Sequence, residues 1–540
     1  MRFMNKRALF FGAMLPVFLT LAAYSDEVAQ NYEQPHTEIA GGIDTEDSVS
    51  PISRFAAKLE VVNEDGTPLA GAKILIGYEV NDPFPNNELI TDRAGSITLP
   101  NQWKSALPVT VIAAGQVRTT FDAVLPTQGK ISVSKAEGTE KLEIKGSTLN
   151  FGPLTQDGQV DFGLVIPAFK IQDLFHFDLS AVISPETDQI RVAGQKIDLP
   201  SNLTLPKQTE SYIIPIVLEK PKYRIYVREP GVHSFFALHG RFPLKDVVGD
   251  IRDGKSIFEV INYFDFLEGG LTPLNVDKSG AKADLQVDKF RFNKELTVIA
   301  PQFRSDKSLL ALAMAEVDGL LVPTDVKRLL PNQSLKLKTS SMATSTRVLH
   351  VLTNSQNLQG ERPEAVAGLD LDDNSHSQES GKPTQPHDKP ALRILADASL
   401  APSTMFNQLT FVLQDSKISG APQFLEMIGP PHIEPNLIRL QTPRILPDVS
   451  PVATYLVLSD VEYFTSGSVK SEKRTRIWEV FSNDWVSQVR LPNFTLNRLP
   501  NHKYRWEVMY FARGAGPGAK NDKGNVLDGV THVTRNAVDF

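Results

Sequence analysis

The chain has 540 residues, 41% hydrophobic and 22% charged, an ordinary globular composition with length for roughly three or four domains. A net charge of −7 argues against non-specific nucleic-acid binding, because phosphates need a basic surface. There is no cysteine, so disulfides, thiolate nucleophiles and cysteine-based zinc or iron–sulfur sites are excluded.

Residues 1–25 read as a signal peptide. Arg2, Lys6 and Arg7 form a basic start, Ala8 to Ala23 is mostly apolar, and Ala23-Tyr24-Ser25 offers small residues for cleavage before Asp26. The apolar run is shorter than the ~20 residues a membrane span needs. Leu21-Ala22-Ala23-Tyr24 resembles a bacterial lipobox, but Tyr24 stands where the lipid-bearing Cys would be, which implies no lipidation. The expected location is therefore outside the cytoplasm: periplasm, outer surface or extracellular space. Residues 26–55 are polar and read as a flexible lead-in.

Residues 56–135 alternate strand and turn signals. Leu59-Glu60-Val61-Val62 leads to Asp65-Gly66, then Pro68, Gly71 and Ile74; Thr91-Asp92-Arg93-Ala94-Gly95 precedes Ile97, and Val109-Thr110-Val111 follows. This pattern resembles the carboxypeptidase regulatory-like domain, a small transthyretin-like β-sandwich. The resemblance implies an accessory, non-catalytic module.

Residues 140–353 keep a mainly β rhythm and resemble no known family. Val160, Phe162, Leu164 and Ile166 alternate, Tyr212 to Val217 is apolar on both faces, and Tyr223 to Val227 reads as strand. Leu285 and Val287 followed by Phe290 and Phe292 predict one strand with a β-bulge, continued by Leu296, Val298 and Ala300. Ser256 to Leu267 has helical spacing of Ile257, Val260, Ile261, Phe264 and Leu267. Residues 357–390 are poor in core-forming side chains and predict a disordered linker. Residues 391–432 form a β segment of uncertain membership. Residues 433–540 contain Ala453 to Leu458, Thr475 to Val480, Val489-Arg490-Leu491 and Tyr504 to Phe511, with Tyr504 following Leu499-Pro500. This stretch resembles a fibronectin type III sandwich, in which Tyr504 would stand as the corner tyrosine.

Several motifs bear on chemistry. Gly249-Asp250-Ile251-Arg252-Asp253-Gly254-Lys255-Ser256 fits the P-loop spacing, and the apolar run Leu309 to Ala315 precedes Glu316 and Asp318. However, Asp250 and Asp253 would repel phosphate, and Lys245-Asp246-Val247-Val248 is a poor buried strand. The Ala, Leu and Met of Leu309 to Ala315 favour helix. A surface turn is the better reading. His233 and His239 lie six residues apart, about 20 Å along a strand, too far to share a metal. Asp370, Asp372, Asp373 and Asn374 lack EF-hand spacing. Trp478 and Trp506 read as core rather than as a sugar-binding surface with Trp485. No catalytic, cofactor-binding or metal residue is assigned, and no cofactor is expected.

The sequence thus predicts a mainly β, multidomain chain of tandem sandwiches. Its leading function is non-enzymatic: an envelope or surface protein that binds or spaces, with a protein or glycan partner. The alternative is an exported hydrolase with its active site in the middle region.

Overall fold

The computed structural model describes residues 58–136, 141–152, 154, 158–169, 187–192, 195–210, 216–252, 255, 257–355, 408–466, 469–493, 502–514 and 529–540. The signal peptide, the lead-in, the linker and its acidic cluster, and the run from Tyr212 to Pro215 lie outside these residues. The chain is mainly β and built from several sheets.

The first stretch carries β1 (Lys58–Asn63), β2 (Lys73–Ile76), β3 (Glu88–Ile90), β4 (Ser96–Thr98), β5 (Leu107–Ile112), β6 (Arg118–Val124) and β7 (Lys130–Val133). The sheet β4-β1-β7 lies over β2, β3, β5 and β6, and Leu59, Val61, Ile97 and Ile131 share one core with Ile74, Ile76, Val109, Val111 and Phe121. Turn chemistry sets this up: Gly66 and Gly95 take φ of 78° and 71°, and a Cβ on Gly95 would fall 2.7 Å from the Val61 carbonyl oxygen.

The middle stretch carries β8 (Leu142–Leu149), β9 (Gln159–Pro167), β10 (Thr187–Val192), β11 (Gln195–Pro200), β12 (Leu203–Glu210), β13 (Ile216–Lys220), β14 (Lys222–Val227) and β15 (Gly231–Pro243). Helices α1 (Leu244–Arg252) and α2 (Ile257–Val260) follow, then β16 (Asp265–Val276), β17 (Ala281–Lys282), β18 (Leu285–Gln286), β19 (Phe290–Arg291) and β20 (Lys294–Ile299). The stretch closes with β21 (Lys307–Val317), β22 (Leu320–Leu329), β23 (Ser334–Thr339) and β24 (Ser345–Asn354). A six-stranded sheet, β13-β12-β9-β15-β16-β19, has two apolar faces. On one, Val165, Phe235, Ala237 and Val276 meet Ile144, Tyr223 and Ile225 of the facing β14-β8-β17 sheet. On the other, Val160, Phe162, Phe236 and Phe266 meet Leu244 and Val247 of α1 and Ala315 and Val322 of β21 and β22.

The last stretch carries β25 (Leu409–Asp415), β26 (His432–Glu434), β27 (Leu437–Arg439), β28 (Val449–Ser466), β29 (Val469–Ser482), β30 (Gln488–Arg490), β31 (Lys503–Gly514) and β32 (His532–Asp539). A twelve-stranded sheet draws on all three stretches, in the order β22-β21-β24-β25-β32-β31-β28-β29-β6-β5-β2-β3. Its β29–β6 pairing is parallel and joins residues 478–481 to residues 118–121.

Three local expectations fail, each through tertiary context. The helix expected over Ser256 to Leu267 is one turn, Ile257–Val260, with a 3-10 turn Ile261–Tyr263, because Asp265 and Phe266 pair with Arg241 and Gly240 of β15. The run Leu309 to Ala315 is the core of strand β21, buried throughout, not helix. Its small alanines suit a central strand covered on both faces. Finally, Leu285 and Phe290 do not share a bulged strand. Leu285 pairs with Thr148 and packs in one core, whereas Phe290 pairs with Gly269 and packs in the other. The chain changes sheets between them.

Candidate functional site

A buried constellation of titratable groups in the middle stretch sits on three adjacent strands, β9, β15 and β16. Register places His239 directly opposite Gly163 on one side and Glu268 on the other. The ring is pinned from both ends: Nδ1 lies 3.0 Å from Glu268 Oε1 and Nε2 lies 2.9 Å from Asp161 Oδ1. His239 is 2% exposed, Asp161 is 0% and Glu268 is 8%, so the trio is an interior one. Gln208 holds the Asp161 backbone, accepting from its N–H at 2.9 Å and donating to its carbonyl at 2.7 Å. Arg241 and Arg291 approach the two carboxylates from the rim, each at 3.7 Å. The Phe151 ring stands edge-on to the imidazole at 5.0 Å.

Local sequence makes room for this arrangement. A Cβ on Gly163 would fall 2.3 Å from Thr204 Oγ1 and 2.9 Å from Thr148 Oγ1. Those two hydroxyls hydrogen-bond each other at 2.6 Å, so glycine lets the facing sheet close over the histidine.

Hydrogen-bond inventory constrains the chemistry. A neutral imidazole donates from one nitrogen only, whereas both nitrogens here face carboxylate oxygens. With both nitrogens so engaged, neither is turned toward a hydroxyl that it could activate. The arrangement ties three strands together.

The motifs singled out in sequence fall elsewhere. Gly249 to Arg252 of the P-loop pattern belong to helix α1, so no strand precedes the loop. Lys255 Nζ pairs with Asp250 Oδ2 at 2.9 Å, and Tyr263 donates to the same carboxylate at 2.9 Å. The lysine is spent on its own loop. Asp318 takes φ of 52° beside Gly319 at 75° in the tight turn from β21 to β22, and Glu316 accepts from Ser345. His233 contacts the Glu229 carbonyl oxygen at 2.9 Å, on the same strand as His239 but outside the trio. Trp478 and Trp506 are buried against each other at 6.1 Å, as expected of core. Trp485 donates to the Phe511 carbonyl at 2.8 Å. Asp161 and Glu268 carried no mark in the sequence, because they lie 78 and 29 residues from His239.

A second polar centre joins the first and last stretches. Glu479, 0% exposed, accepts from Ser134 Oγ and from Arg476 Nη1, both at 2.7 Å. Trp478 Nε1 donates to Thr120 Oγ1 at 3.0 Å, with the Arg118 guanidinium 5.1 Å from its ring centroid. At the end of β28 and β31, Asp448, Ser450, Pro451 and Arg513 line an open groove of about 410 Å³. Among the described residues no group of three His, Asp or Glu side chains is arranged to hold a metal, and no helix is long and apolar enough to cross a membrane.

No family model matches the chain, and no curated protein matches it. Solved structures give faint likenesses. The major pilin subunit BcpA of Bacillus cereus is 11% identical over 55% of this chain and 87% of that one, with a TM-score of 0.12. The Corynebacterium diphtheriae major pilin SpaA is 10% identical over the same shares, 55% and 87%, with a TM-score of 0.10. TM-scores of this size assign neither fold nor function.

Proposed function

We propose that this chain is an exported, non-enzymatic protein of the cell envelope or surface that binds or spaces, with a protein or glycan as partner. The observation that supports this most is the twelve-stranded sheet, which makes one hydrogen-bonded body from residues far apart in sequence. Such a body suits presentation of loops and edges at a fixed separation. The carboxypeptidase regulatory-like reading of residues 56–135 and the fibronectin type III-like reading of residues 433–540 belong to the same proposal, as does export after cleavage near Asp26 without lipidation.

The second reading, an exported hydrolase, would draw on the acid–base groups of the His239 trio, although both ring nitrogens are engaged by carboxylates. A screen of the purified full chain against ester, peptide and glycoside substrates, run beside binding assays on envelope proteins and glycans, separates the two. Saturable binding without turnover is expected. Reproducible turnover that disappears in His239→Gln would make the hydrolase reading correct.

A further inference from the structure

Two buried histidines occupy one row of the twelve-stranded sheet, on either side of a single strand. His350 of β24 is directly opposite Val412 of β25, and Val412 is directly opposite His532 of β32. Directly opposed residues point to the same face, so the two rings flank Val412 on backbones about 10 Å apart. Both are interior, at 2% and 8% exposed. His350 Nδ1 is buried with no hydrogen-bond partner, and His532 Nδ1 contacts Thr531 Oγ1 at 2.7 Å.

The facing positions on neighbouring strands carry no charge to receive a protonated ring. They are Ala311 on β21, Val412 on β25 and Ala512 on β31. Gln414 faces His350, and the Gln423 backbone faces His532. The row continues on β22 with Lys327, a cation, which leans to Asp325 at 3.7 Å and to the Phe264 carbonyl at 2.7 Å. Burial holds each histidine down to about 4, with the hydrogen-bonding neighbour working weakly the other way.

We propose that β25 is an acid-released seam: protonation of His350 and His532 frees this strand from both neighbours and parts the sheet between β24 and β32 before the rest of the molecule unfolds. The direction follows from linkage. A histidine freed to solvent binds its proton near pH 6.5, while the closed sheet resists protonation until about pH 4. The closed form therefore loses stability as pH falls from 6.5 toward 4, and two sites in one row act on the same strand. β25 is the joint at stake because it alone bridges β21, β22 and β24 to the last stretch in the sheet order.

Hydrogen–deuterium exchange of the full chain at pH 7 and pH 4.5, corrected for intrinsic rates, tests the seam. The expected result is loss of protection over residues 409–415 by roughly a hundredfold or more at pH 4.5, with β2 and β5 still protected. The double variant His350→Gln, His532→Gln should keep its pH 7 protection there. Unchanged protection of β25 in the wild type, equal loss in the variant, or simultaneous loss in every strand would overturn the proposal. Should the double variant fail to fold, NMR titration of the wild-type histidines decides: midpoints below pH 5 for both support the seam, and midpoints near 6.5 end it.

Discussion

At the joint between the first and last stretches, Glu64 lies beside Arg476 and Glu479 with its carboxyl displaced from the ordinary range. Burial pushes its carboxyl up to about 8, against the pull of Arg476, and Glu479 and Asp65 push the same way. One oxygen, Oε1, is buried with no hydrogen-bond partner. At neutral pH the side chain is thus held protonated in the folded chain and ionised in the unfolded one. The folded state binds the extra proton between about 4.5 and 8, so this group's contribution to stability falls as pH rises through that window and is flat above it. Glu64→Gln mimics the protonated form. Urea unfolding at pH 5, 7 and 9 should show the variant gaining on the wild type as pH rises. A difference that does not change with pH would mean that Glu64 is ionised when folded. The residue scale is also where the candidate site escaped sequence reasoning. His239 was visible as a histidine on a strand, but its partners are set by the register of three strands.

At the scale of elements, the end of the large sheet at β22 is closed by local devices, as edges that must not pair further require. Leu321 exchanges backbone hydrogen bonds with Phe169, at 2.7 Å and 3.5 Å. Pro323 has no N–H to offer, and the Val326 N–H donates to Asp325 Oδ1 at 2.9 Å. Asn262 then acts as a surrogate strand: its side chain accepts from the Arg328 N–H at 2.7 Å and donates to the Arg328 carbonyl at 2.9 Å. Asn262→Ala would leave that donor and acceptor open. We expect about 1–2 kcal/mol lower stability and greater self-association than wild type by sedimentation velocity; equal sedimentation would show that Asn262 does not guard the edge. The same elements explain the failed helix. The residues from Ser256 to Leu267 have helical spacing, but Phe264 and Phe266 also alternate, and β15 offered a partner for the extended form.

For the whole molecule, the sheet's two inter-stretch pairings matter most. β6 closes one flank of β29, and β24 closes one flank of β25. A fragment of residues 405–540 would have both flanks open, with Trp478 stripped of its Thr120 partner. Such a fragment should unfold without a cooperative thermal transition by circular dichroism, while the full chain unfolds cooperatively. A sharp transition in the fragment would show that the last stretch stands alone.

The mainly β class, the turns at Asp65-Gly66 and Gly95, the strand at Tyr223 to Val227 and the core roles of Trp478 and Trp506 were determined by sequence alone, because alternation and turn chemistry act over a few neighbouring residues. Tertiary structure alone decided the rest. That Leu309 to Ala315 is strand, that Leu285 and Phe290 serve different sheets, that His239 meets Asp161 and Glu268, and that His350 and His532 share a row all depend on which distant strands pair and in what register. A strand's own pattern fixes which face is apolar; its partner, and so every contact across the ladder, is chosen by the packing of the whole chain.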